Sequence, residues 1–373
     1  MCIIINMKLC GIVVEYNPFH NGHIHHLQEA RRLSECDGLI AVMSGNYTQR
    51  GDLSIIDKYT KTKVALEHGV DLVVELPYVY ATQSASKFAH GALTVLKLCG
   101  IDSLVFGSES NNLEELQEIA SFEINPDHLK ESLKTGQSFP KAYGLLAGEF
   151  LPNDILGICY LKELKDSQIK PISIPRSVHY HSLEMGEIAS ASAIRNAVKN
   201  QKDYTSATPL EITNPVFTSD LYPYLRRVLL SLSREELSKI HLVSEGIEKV
   251  LIDNAYKYGD YDEFIKASTS RRYTKSRIQR ICLQIMNHIT KEEVAKLPEL
   301  NYVRVLGFNA KGKEILRELK EKEVNVATNF NRIPDAYRQM EFKTSLLYAS
   351  LFEEDKRQEL IKKEISGPII IKD

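Results

Sequence analysis

The chain has 373 residues, of which 43% are hydrophobic and 26% are charged, and its formal net charge is −2. These values are typical of a globular protein with about two domains, and they exclude an intrinsically disordered chain. No apolar run reaches the roughly 18–20 residues of a membrane-spanning helix, so we expect no membrane partner. The six cysteines are scattered without a C-x-x-C pair, which argues against a disulfide framework or a metal site and favours a reducing cytoplasm. The residues before Met7 read as a short extension, with Met7 as an alternative start, because they lack the features of a signal peptide.

The first half of the chain alternates apolar runs with helix-like segments. The predicted strands cover residues 9–15, 38–43, 71–76, 103–106 and 171–174. The predicted helices cover residues 22–33, 58–68 and 86–98. Continuous apolar strands separated by helices are typical of parallel sheets with both faces covered. The pattern therefore predicts an α/β fold, a Rossmann-like doubly wound parallel sheet with right-handed crossovers.

The second half is different in character. Its predicted helices cover residues 234–239, 246–256, 275–289 and 310–322, and its best strand signal is 302–306. A stretch rich in Pro and Thr, 205–223, reads as a linker. We therefore predict two domains, 7–204 and a mainly α-helical C-terminal domain at 205–373. The net charge is about −5 before Thr205 and about +3 after it, which favours an anionic partner for the second domain.

The strongest motif is His20-Asn21-Gly22-His23, which follows Asn17-Pro18-Phe19 between the first strand and the first helix. At such a turn, the helix N-terminus offers unpaired N–H groups and a partial positive charge, which favour phosphate. Gly22 allows the backbone to approach a ligand closely. His20 and His23 lie three residues apart, so both imidazoles can donate hydrogen bonds to a phosphate that gains charge in the transition state. A zinc site that uses His20, His23 and His26 is the alternative, although no H-E-x-x-H pattern supports it.

The H-x-G-H turn resembles the signature of the HIGH superfamily of nucleotidyltransferases. Within that superfamily, the chain is similar to bacterial tRNA(Met) cytidine acetate ligases through the blocks 13–23, 42–51, 69–77, 106–109 and 152–157. The second half resembles that family through residues 271–274 and 302–308. The resemblance implies an enzyme that forms acetyl-adenylate from acetate and ATP and releases pyrophosphate. It then transfers the acetyl group to N4 of the wobble cytidine in elongator tRNA(Met), giving N4-acetylcytidine.

The resemblance also implies which residues bind ATP, here a substrate that carries Mg²⁺, with no tightly bound metal held by the protein. His20 and His23 are the implied catalytic residues. The implied ATP-binding residues are Val13, Val14, Glu15, Tyr16, Asn17, Pro18, Phe19, His20, Asn21, Gly22, His23, His26, Gly107, Asn153 and Arg176. A second landmark of the superfamily is matched by Ser190, Ser192 and Arg195, which would hold the outer phosphates. Asp154 departs from the second Asn of the family's P-N-N-I-L-G block.

Two further pairs of residues are candidates for function. Gln49 and Arg50 follow the second strand on the expected substrate side, where Arg50 would pair with acetate or RNA phosphate, or simply be solvated in a turn. Asp71 and Glu75 lie four apart on one face of the third strand, a spacing that would suit an acid/base pair. We favour a structural role for Asp71 and leave that of Glu75 open, because acetate is already a nucleophile at pH 7 and needs no strong base.

A basic segment in the second half is the candidate tRNA-binding site. Its basic residues are Arg271, Arg272, Lys275, Arg277 and Arg280, with Tyr273 among them. Such a patch can bind a phosphate backbone and stack a base, although a solvated helix face is the ordinary reading. Two other functions share the H-x-G-H turn: an adenylyltransferase for a small cofactor precursor, and a nucleotide-sensing RNA-binding protein without catalysis. The first is commonly shorter and needs no basic helical domain, and intact His20 and His23 argue against the second.

Overall fold

A single mixed sheet organises the chain in the computed structural model, which describes residues 7–122, 151–176 and 186–372. Its strands in chain order are β1 (Leu9–Val14), β2 (Gly38–Ser44), β3 (Leu72–Leu76), β4 (Ser103–Ser108), β5 (Lys170–Pro175), β6 (Val303–Phe308), β7 (Val326–Ala327) and β8 (Ile369–Ile370). Their spatial order is β5-β4-β1-β2-β3-β6-β7, with β8 paired to β6. Every pair is parallel except β3 with β6.

Helices cover both faces of this sheet and also form a separate group beyond it. In chain order the helices of the described residues are α1 (Asn21–Ser34), α2 (Lys58–Glu67), α3 (Tyr78–Ala81), α4 (Ala85–Leu98), α5 (Leu113–Ser121), α6 (Pro152–Leu164), α7 (Ala191–Lys199), α8 (Tyr222–Ser231), α9 (Arg234–Ser238), α10 (Ile247–Lys257), α11 (Tyr261–Ser268), α12 (Lys275–Met286), α13 (Lys291–Ala295), α14 (Ala310–Glu321), α15 (Asp335–Ala349) and α16 (Glu354–Ile365). None of these helices is long and apolar enough to cross a membrane.

Successive side chains of β2 point alternately into two apolar cores, one on each face of the sheet. Leu39 and Ala41 pack into the core that contains Leu27 of α1, whereas Ile40 and Val42 pack into the core that contains Phe88 of α4. A strand that is buried on both faces must be apolar at consecutive positions, which is the pattern read from the sequence. The predicted α/β fold is confirmed, and the five predicted strands of the first half shift at their ends by no more than two residues.

The strand order creates a crevice where the active site is expected. From β1 the chain winds outward through β2 to β3 on one side, whereas β4 and β5 lie on the other. The order therefore reverses between β1 and β4, and open sheets bind ligands outside the carboxyl ends of strands at such a switch point. The H-x-G-H turn follows β1, and Gly107 lies near the end of β4.

The second half of the chain is split between two places. Helices from α8 to α12 enclose their own apolar core, which includes Leu229, Leu251 and Phe264. Residues after 302, however, return to the sheet: β6 pairs antiparallel with β3, and β7 and β8 pair with β6. The sheet therefore does not end at the predicted boundary of Thr205. The physical reason is that β3 is buried throughout and its outer edge needs a partner for its backbone groups. We call residues 222–295 the helical unit; it lies in the chain between α7 and β6.

The predicted linker at 205–223 is a packed connection. Thr208 donates a hydrogen bond from its hydroxyl to the Phe19 carbonyl at 2.7 Å, and the N–H of Val216 donates to the Ile55 carbonyl at 3.3 Å. Ile212, which lies between Thr208 and Val216 in the chain, is buried. The final residues of this stretch begin α8, whose Pro223 occupies the first turn, where proline is tolerated.

A buried ion network joins β3 to the C-terminal part of the chain. Lys58 contacts Glu75 at 2.7 Å and Glu364 at 2.8 Å, and Arg304 contacts the same two carboxylates at 2.6 and 2.8 Å. Beside them, Glu341 accepts a hydrogen bond from the Tyr78 N–H at 2.7 Å. Burial and the nearby Glu75 raise the pKa of Glu341 to about 8, so its carboxyl is mostly protonated at neutral pH.

Candidate active site

The H-x-G-H turn lies between the end of β1 and the start of α1, and it is anchored by buried aromatic side chains. Tyr16 adopts the left-handed backbone conformation (φ +49°), and Tyr16 and Phe19 are both buried. His20 is the N-cap residue of α1. A Cβ on Gly22 would approach the His20 ring to 2.9 Å, so the turn requires glycine at this position. The strained backbone and the missing side chain are typical of a turn shaped for a ligand.

The hydrogen bonding of His23 fixes which of its nitrogens carries the proton. The backbone N–H of His20 donates to Nδ1 of His23 at 3.2 Å. Burial, helped by the neighbouring His20, His26 and Arg176, lowers the pKa of His23 well below its usual value, so the ring is neutral. A neutral imidazole whose Nδ1 accepts must carry its proton on Nε2. His23 therefore offers a donor for a ligand in the crevice.

His20 complements His23 with an unsatisfied buried atom. The two rings are stacked with centroids 3.7 Å apart, and His20 is only 7% exposed. Its Nδ1 has no hydrogen-bond partner among the described residues. Burial and the charges of Arg176 and Arg195 lower the pKa of His20 to about 3. A buried polar atom without a partner is costly, and with its proton on Nδ1 the neutral ring would donate a hydrogen bond to a phosphate oxygen of a bound nucleotide.

Helix α7 brings the second predicted landmark against this turn. Arg195 donates to the Asn17 carbonyl at 2.6 Å and to the Ser192 hydroxyl at 3.0 Å. Ser190 caps α7 by accepting from the N–H of Ala193 at 3.0 Å. The side chain of Asn17 points to the 53–55 loop, where it donates to the Leu53 carbonyl and accepts from the Ile55 N–H. Arg195 therefore holds the turn by its backbone, and Asn17 has a structural role in this arrangement.

The ends of β4, β5 and the start of α6 form the other wall. Arg176 donates to Oδ1 of Asn153 at 3.3 Å. Gly107 lies beside the same arginine, because a Cβ built on Gly107 would be 3.4 Å from Cγ of Arg176. Arg176 also lowers the pKa of His20, His23 and His26, the last to about 4 with burial as the main cause. Gly107, Asn153 and Arg176 thus lie together, and the charge of Arg176 reaches the histidines of the H-x-G-H turn.

The carboxylates of Glu109 and Asp154, for which the sequence motifs indicated no role, hold the segments of this wall together through hydrogen bonds. Glu109 accepts from the Asn153 side chain at 2.5 Å and from its N–H at 2.9 Å. Asp154, the departure from the family pattern, accepts from the Ser108 hydroxyl at 2.5 Å and from the N–H groups of Glu109 and Ser110. Asp154 therefore joins β4 to α6 as an acceptor of three hydrogen bonds. Glu109 lay in a matched block but had no assigned function.

A buried lysine near the turn connects the end of β1 to the end of β2 through hydrogen bonds. Lys61 donates to the carbonyls of Glu15, Ser44 and Gly45 at 2.8, 2.9 and 2.6 Å. Burial lowers its pKa to about 7, although the nearby Glu15 opposes the shift. Nothing in the sequence marks Lys61, because a lysine on a predicted helix is normally exposed. The side chain of Glu15 accepts from the Gln49 N–H at 2.6 Å, so the segment that follows β1 and the loop that follows β2 are in direct contact.

The 49–52 loop, in turn, touches the helical unit. Arg280 donates to the Gln49 carbonyl at 3.0 Å, and Gln279 donates to Asp52 at 2.6 Å. At Gly51 (φ +87°), a Cβ would collide with the backbone of Gln279 and Arg280, so the loop and α12 are packed without intervening side chains. The predicted substrate side and the predicted tRNA-binding segment are therefore adjacent in space.

The basic segment is partly anchored rather than fully solvated. Arg272 forms an ion pair with Glu245 at 2.7 Å, and the guanidinium of Arg277 lies 4.0 Å from the centre of the Tyr273 ring. Arg271 and Lys275 are exposed. Arg277 and Arg280 remain on one side of α12, as the spacing predicted, and Arg280 is only partly exposed.

Asp71 and Glu75 do not form an acid/base pair in the crevice. Asp71 binds Arg31 at 2.5 Å and accepts from the Leu39 N–H and from Asn309. Glu75 belongs to the buried ion network. The structural role favoured for Asp71 agrees with these contacts, and Glu75 has the same kind of role.

A mostly parallel sheet with neutral histidines and arginines around an H-x-G-H turn at its switch point defines a nucleotidyltransferase of the HIGH class. The family model described as HIGH Nucleotidyl Transferase matches residues 7–364. Among curated relatives, the tRNA(Met) cytidine acetate ligase of Thermoanaerobacter sp. (strain X514) is 39% identical over 94% of this chain and 93% of its own length. That of Lysinibacillus sphaericus (strain C3-41) is 34% identical over 98% of this chain and its own full length. The chain belongs to the tRNA(Met) cytidine acetate ligase family.

Solved structures agree with this assignment. Thermotoga maritima TmcAL without ligand has a TM-score of 0.88, with 32% identity over 98% of this chain and 100% of that chain. The same protein bound with alpha-thio ATP has a TM-score of 0.87, with 33% identity and the same coverage. The sequence predictions of the family, the fold class and a ligase activity are confirmed.

Proposed function

We propose that this chain forms acetyl-adenylate from acetate and ATP, and then acetylates N4 of the wobble cytidine in elongator tRNA(Met). The single observation that supports this most strongly is the pair of stacked, neutral histidines His20 and His23 at the N-terminus of α1 by the β1/β4 switch point, within reach of the charge of Arg176. The names of the relatives supply the substrates. Because both ATP and tRNA are substrates, the proposed location is the cytoplasm.

In the first step, an acetate oxygen attacks the α-phosphorus of ATP. A new P–O bond forms, the P–O bond to the β-phosphate breaks, and pyrophosphate leaves. Negative charge grows on the α-phosphate oxygens, where the Nε2–H of His23, the N–H groups of α1 and the Arg176 guanidinium can stabilise it. Because acetate is already ionised at pH 7, positioning and charge stabilisation supply the catalysis.

The residues at the crevice also fit a triphosphate. The partnerless Nδ1 of His20 and the cationic side chains of Arg176 and Arg195 suit phosphate oxygens better than they suit a neutral ligand. Mg²⁺ is proposed to enter with the triphosphate, because Mg²⁺ at nucleotide sites is commonly bound through substrate phosphates and one or two carboxylates. When bound, the metal would neutralise charge on the leaving pyrophosphate.

In the second step, the N4 amine attacks the acetyl carbonyl. A C–N bond forms, the bond from the acyl carbon to the phosphate oxygen breaks, and AMP leaves. The amine loses one proton to give the neutral amide.

Two assays test this proposal. We expect ATP–pyrophosphate exchange that depends on acetate and that is not supported by nicotinamide mononucleotide or phosphopantetheine. We also expect mass spectrometry of tRNA nucleosides to find labelled N4-acetylcytidine after incubation with ATP and labelled acetate. The matched control is the same tRNA with uridine at the wobble position. Exchange with a cofactor precursor in place of acetate would instead indicate a small-molecule adenylyltransferase.

A further inference from the structure

The contact between the 49–52 loop and α12 brings three arginines together from distant parts of the chain. The carbonyl of Gln49 accepts from Arg280, so Arg50 follows directly after the point of contact. Arg277 lies one turn before Arg280 on α12. Neither the loop nor the helix alone contains this group, which exists only because the sheet and the helical unit meet here.

The three positive charges lie close enough to affect one another. Burial, followed by the charges of Arg277 and Arg50, lowers the pKa of Arg280 to about 10. Carboxylates near the group include Asp52 of the same loop, which accepts from Gln279 at 2.6 Å, and Glu245, 3.9 Å from Arg277 and already paired with Arg272. Glu15 is a third, whose pKa the charge of Arg50 helps to lower against a larger increase from burial. Like charges held together raise the free energy of the unliganded site, and an added anion relieves this cost.

Arg277 is also held in place before any ligand arrives. Its guanidinium stacks on Tyr273, whose hydroxyl donates to the Ser244 carbonyl, and it donates to the Arg272 carbonyl at 3.3 Å and to the Ser244 hydroxyl at 3.2 Å. One third of the side chain remains exposed. A fixed planar guanidinium loses little entropy when it binds a phosphate, which is the usual advantage of arginine at such sites.

We propose that Arg50, Arg277 and Arg280 form one anion site that holds a backbone phosphate of the RNA substrate next to the ATP crevice. This inference rests on the proposed function, because it names the contact by which the same active site receives its tRNA. The RNA is favoured over a second nucleotide because the triphosphate already has its own set at His20, Arg176 and Arg195. The site includes Arg50 of the 49–52 loop, and the same loop contacts the residue that follows β1, because the N–H of Gln49 donates to Glu15.

The test uses the full chain and an elongator tRNA(Met) transcript, with affinity measured by fluorescence anisotropy over a salt series. The variants are Arg50→Ala, Arg277→Ala, the double variant, and Arg277→Lys, which keeps the charge. Arg280 is left intact because its loss would also release the loop. The matched control is Arg227→Ala, an exposed arginine on α8 of the same helical unit.

We expect each single alanine variant to weaken tRNA binding by about tenfold and to reduce the salt slope by about 0.7, the value for one phosphate of single-stranded nucleic acid. Because both arginines share that phosphate, the double variant should also lose about 0.7 rather than twice that value. Arg277→Lys should retain most of the slope but lose affinity. Arg227→Ala should change affinity by no more than about twofold.

Three results would overturn the proposal. If Arg227→Ala weakens tRNA binding as much as Arg277→Ala, the affinity depends only on the overall positive charge of the helical unit. If the slopes of the two single variants add, the arginines contact different phosphates. If the KM for ATP rises more than tRNA affinity falls, the cluster belongs to the nucleotide site. Failure of the proposed function is separate, because it would show as a parent protein that forms no N4-acetylcytidine.

Discussion

Replacing Glu341 by Gln should make this protein more stable at neutral and mildly alkaline pH. Glu341 is 4% exposed and lies beside a network that already has two carboxylates, Glu75 and Glu364, for two cations, Lys58 and Arg304. A third negative charge would have no cation of its own, so the carboxyl holds its proton up to a pKa of about 8. Glutamine keeps the shape and can still accept the hydrogen bond from the Tyr78 N–H.

The size of the effect follows from linkage. A carboxyl with a pKa near 4.5 in the unfolded chain and about 8 in the folded chain contributes stability that is complete below pH 4.5. That stability is lost as pH rises through about 8, because the unfolded chain releases the proton first. At pH 7 the difference amounts to roughly 3 kcal/mol, at 1.36 kcal/mol for each pKa unit. An uncharged amide is free of this cost, so the variant Glu341→Gln should lose the pH dependence between about pH 5 and 8.

Urea unfolding followed by far-UV circular dichroism at pH 5, 7 and 8 measures this directly, since the chain has no tryptophan for fluorescence. The parent midpoint should fall with increasing pH, and the variant midpoint should fall less. Tyr78→Phe is a suitable control, because it alters a side chain next to Glu341 but leaves the Glu341 carboxyl in place to titrate. Equal pH dependence in the parent and in Glu341→Gln would refute the reasoning, since the protonated carboxyl would then not reside on Glu341.

Two further predictions concern the crevice and the sheet. His23→Ala should lower acetate-dependent ATP–pyrophosphate exchange by about 10²–10³ with an unchanged circular dichroism spectrum, because it removes an N–H donor to the α-phosphate. His23→Gln, which retains an N–H donor, should lose less, and a folded His23→Ala with the parental rate would exclude His23 from the chemistry. A fragment that ends at Tyr204 should be poorly folded, because it lacks β6 and the Arg304 and Glu364 partners of Glu75 and Lys58. A cooperative thermal transition of that fragment at the parental temperature would show that 7–204 folds alone.

The sequence was most informative where local pattern and tertiary role agree. The apolar run 38–43 could be read as a buried strand because both of its faces contact helices, and H-x-G-H could be read as a phosphate turn because its residues act from a single turn. Helix α15 was missed for the opposite reason. It buries Glu341 and Thr344, so polar residues interrupt the apolar face that normally reveals a helix.

Contacts between distant residues were beyond the reach of sequence patterns. The hydrogen bond from Arg280 to Gln49 joins positions 231 residues apart, so the adjacency of loop and helix had no local signal. Lys61 looked like any helical lysine, although it is fully buried and caps three carbonyls. The pairing of β6 with β3 was likewise hidden, since a single apolar run carries no information about its neighbour.

The position of the helical unit between α7 and β6 restricts how it can move. A domain at the end of a chain on a flexible tether samples a large volume, and the effective concentration of anything it binds falls as the tether lengthens. Here both connections return to the sheet: the first is fixed by Thr208 and Val216, and the second by Leu300 and Tyr302, which are both buried. Because both ends are anchored and α12 packs against the 49–52 loop, the unit cannot swing away from the sheet. A ligand bound to its α12 face is therefore held at a nearly constant distance from the carboxyl edge of β1. A molecule that binds at both places must have a length that matches this distance, so the fold selects its ligand by length.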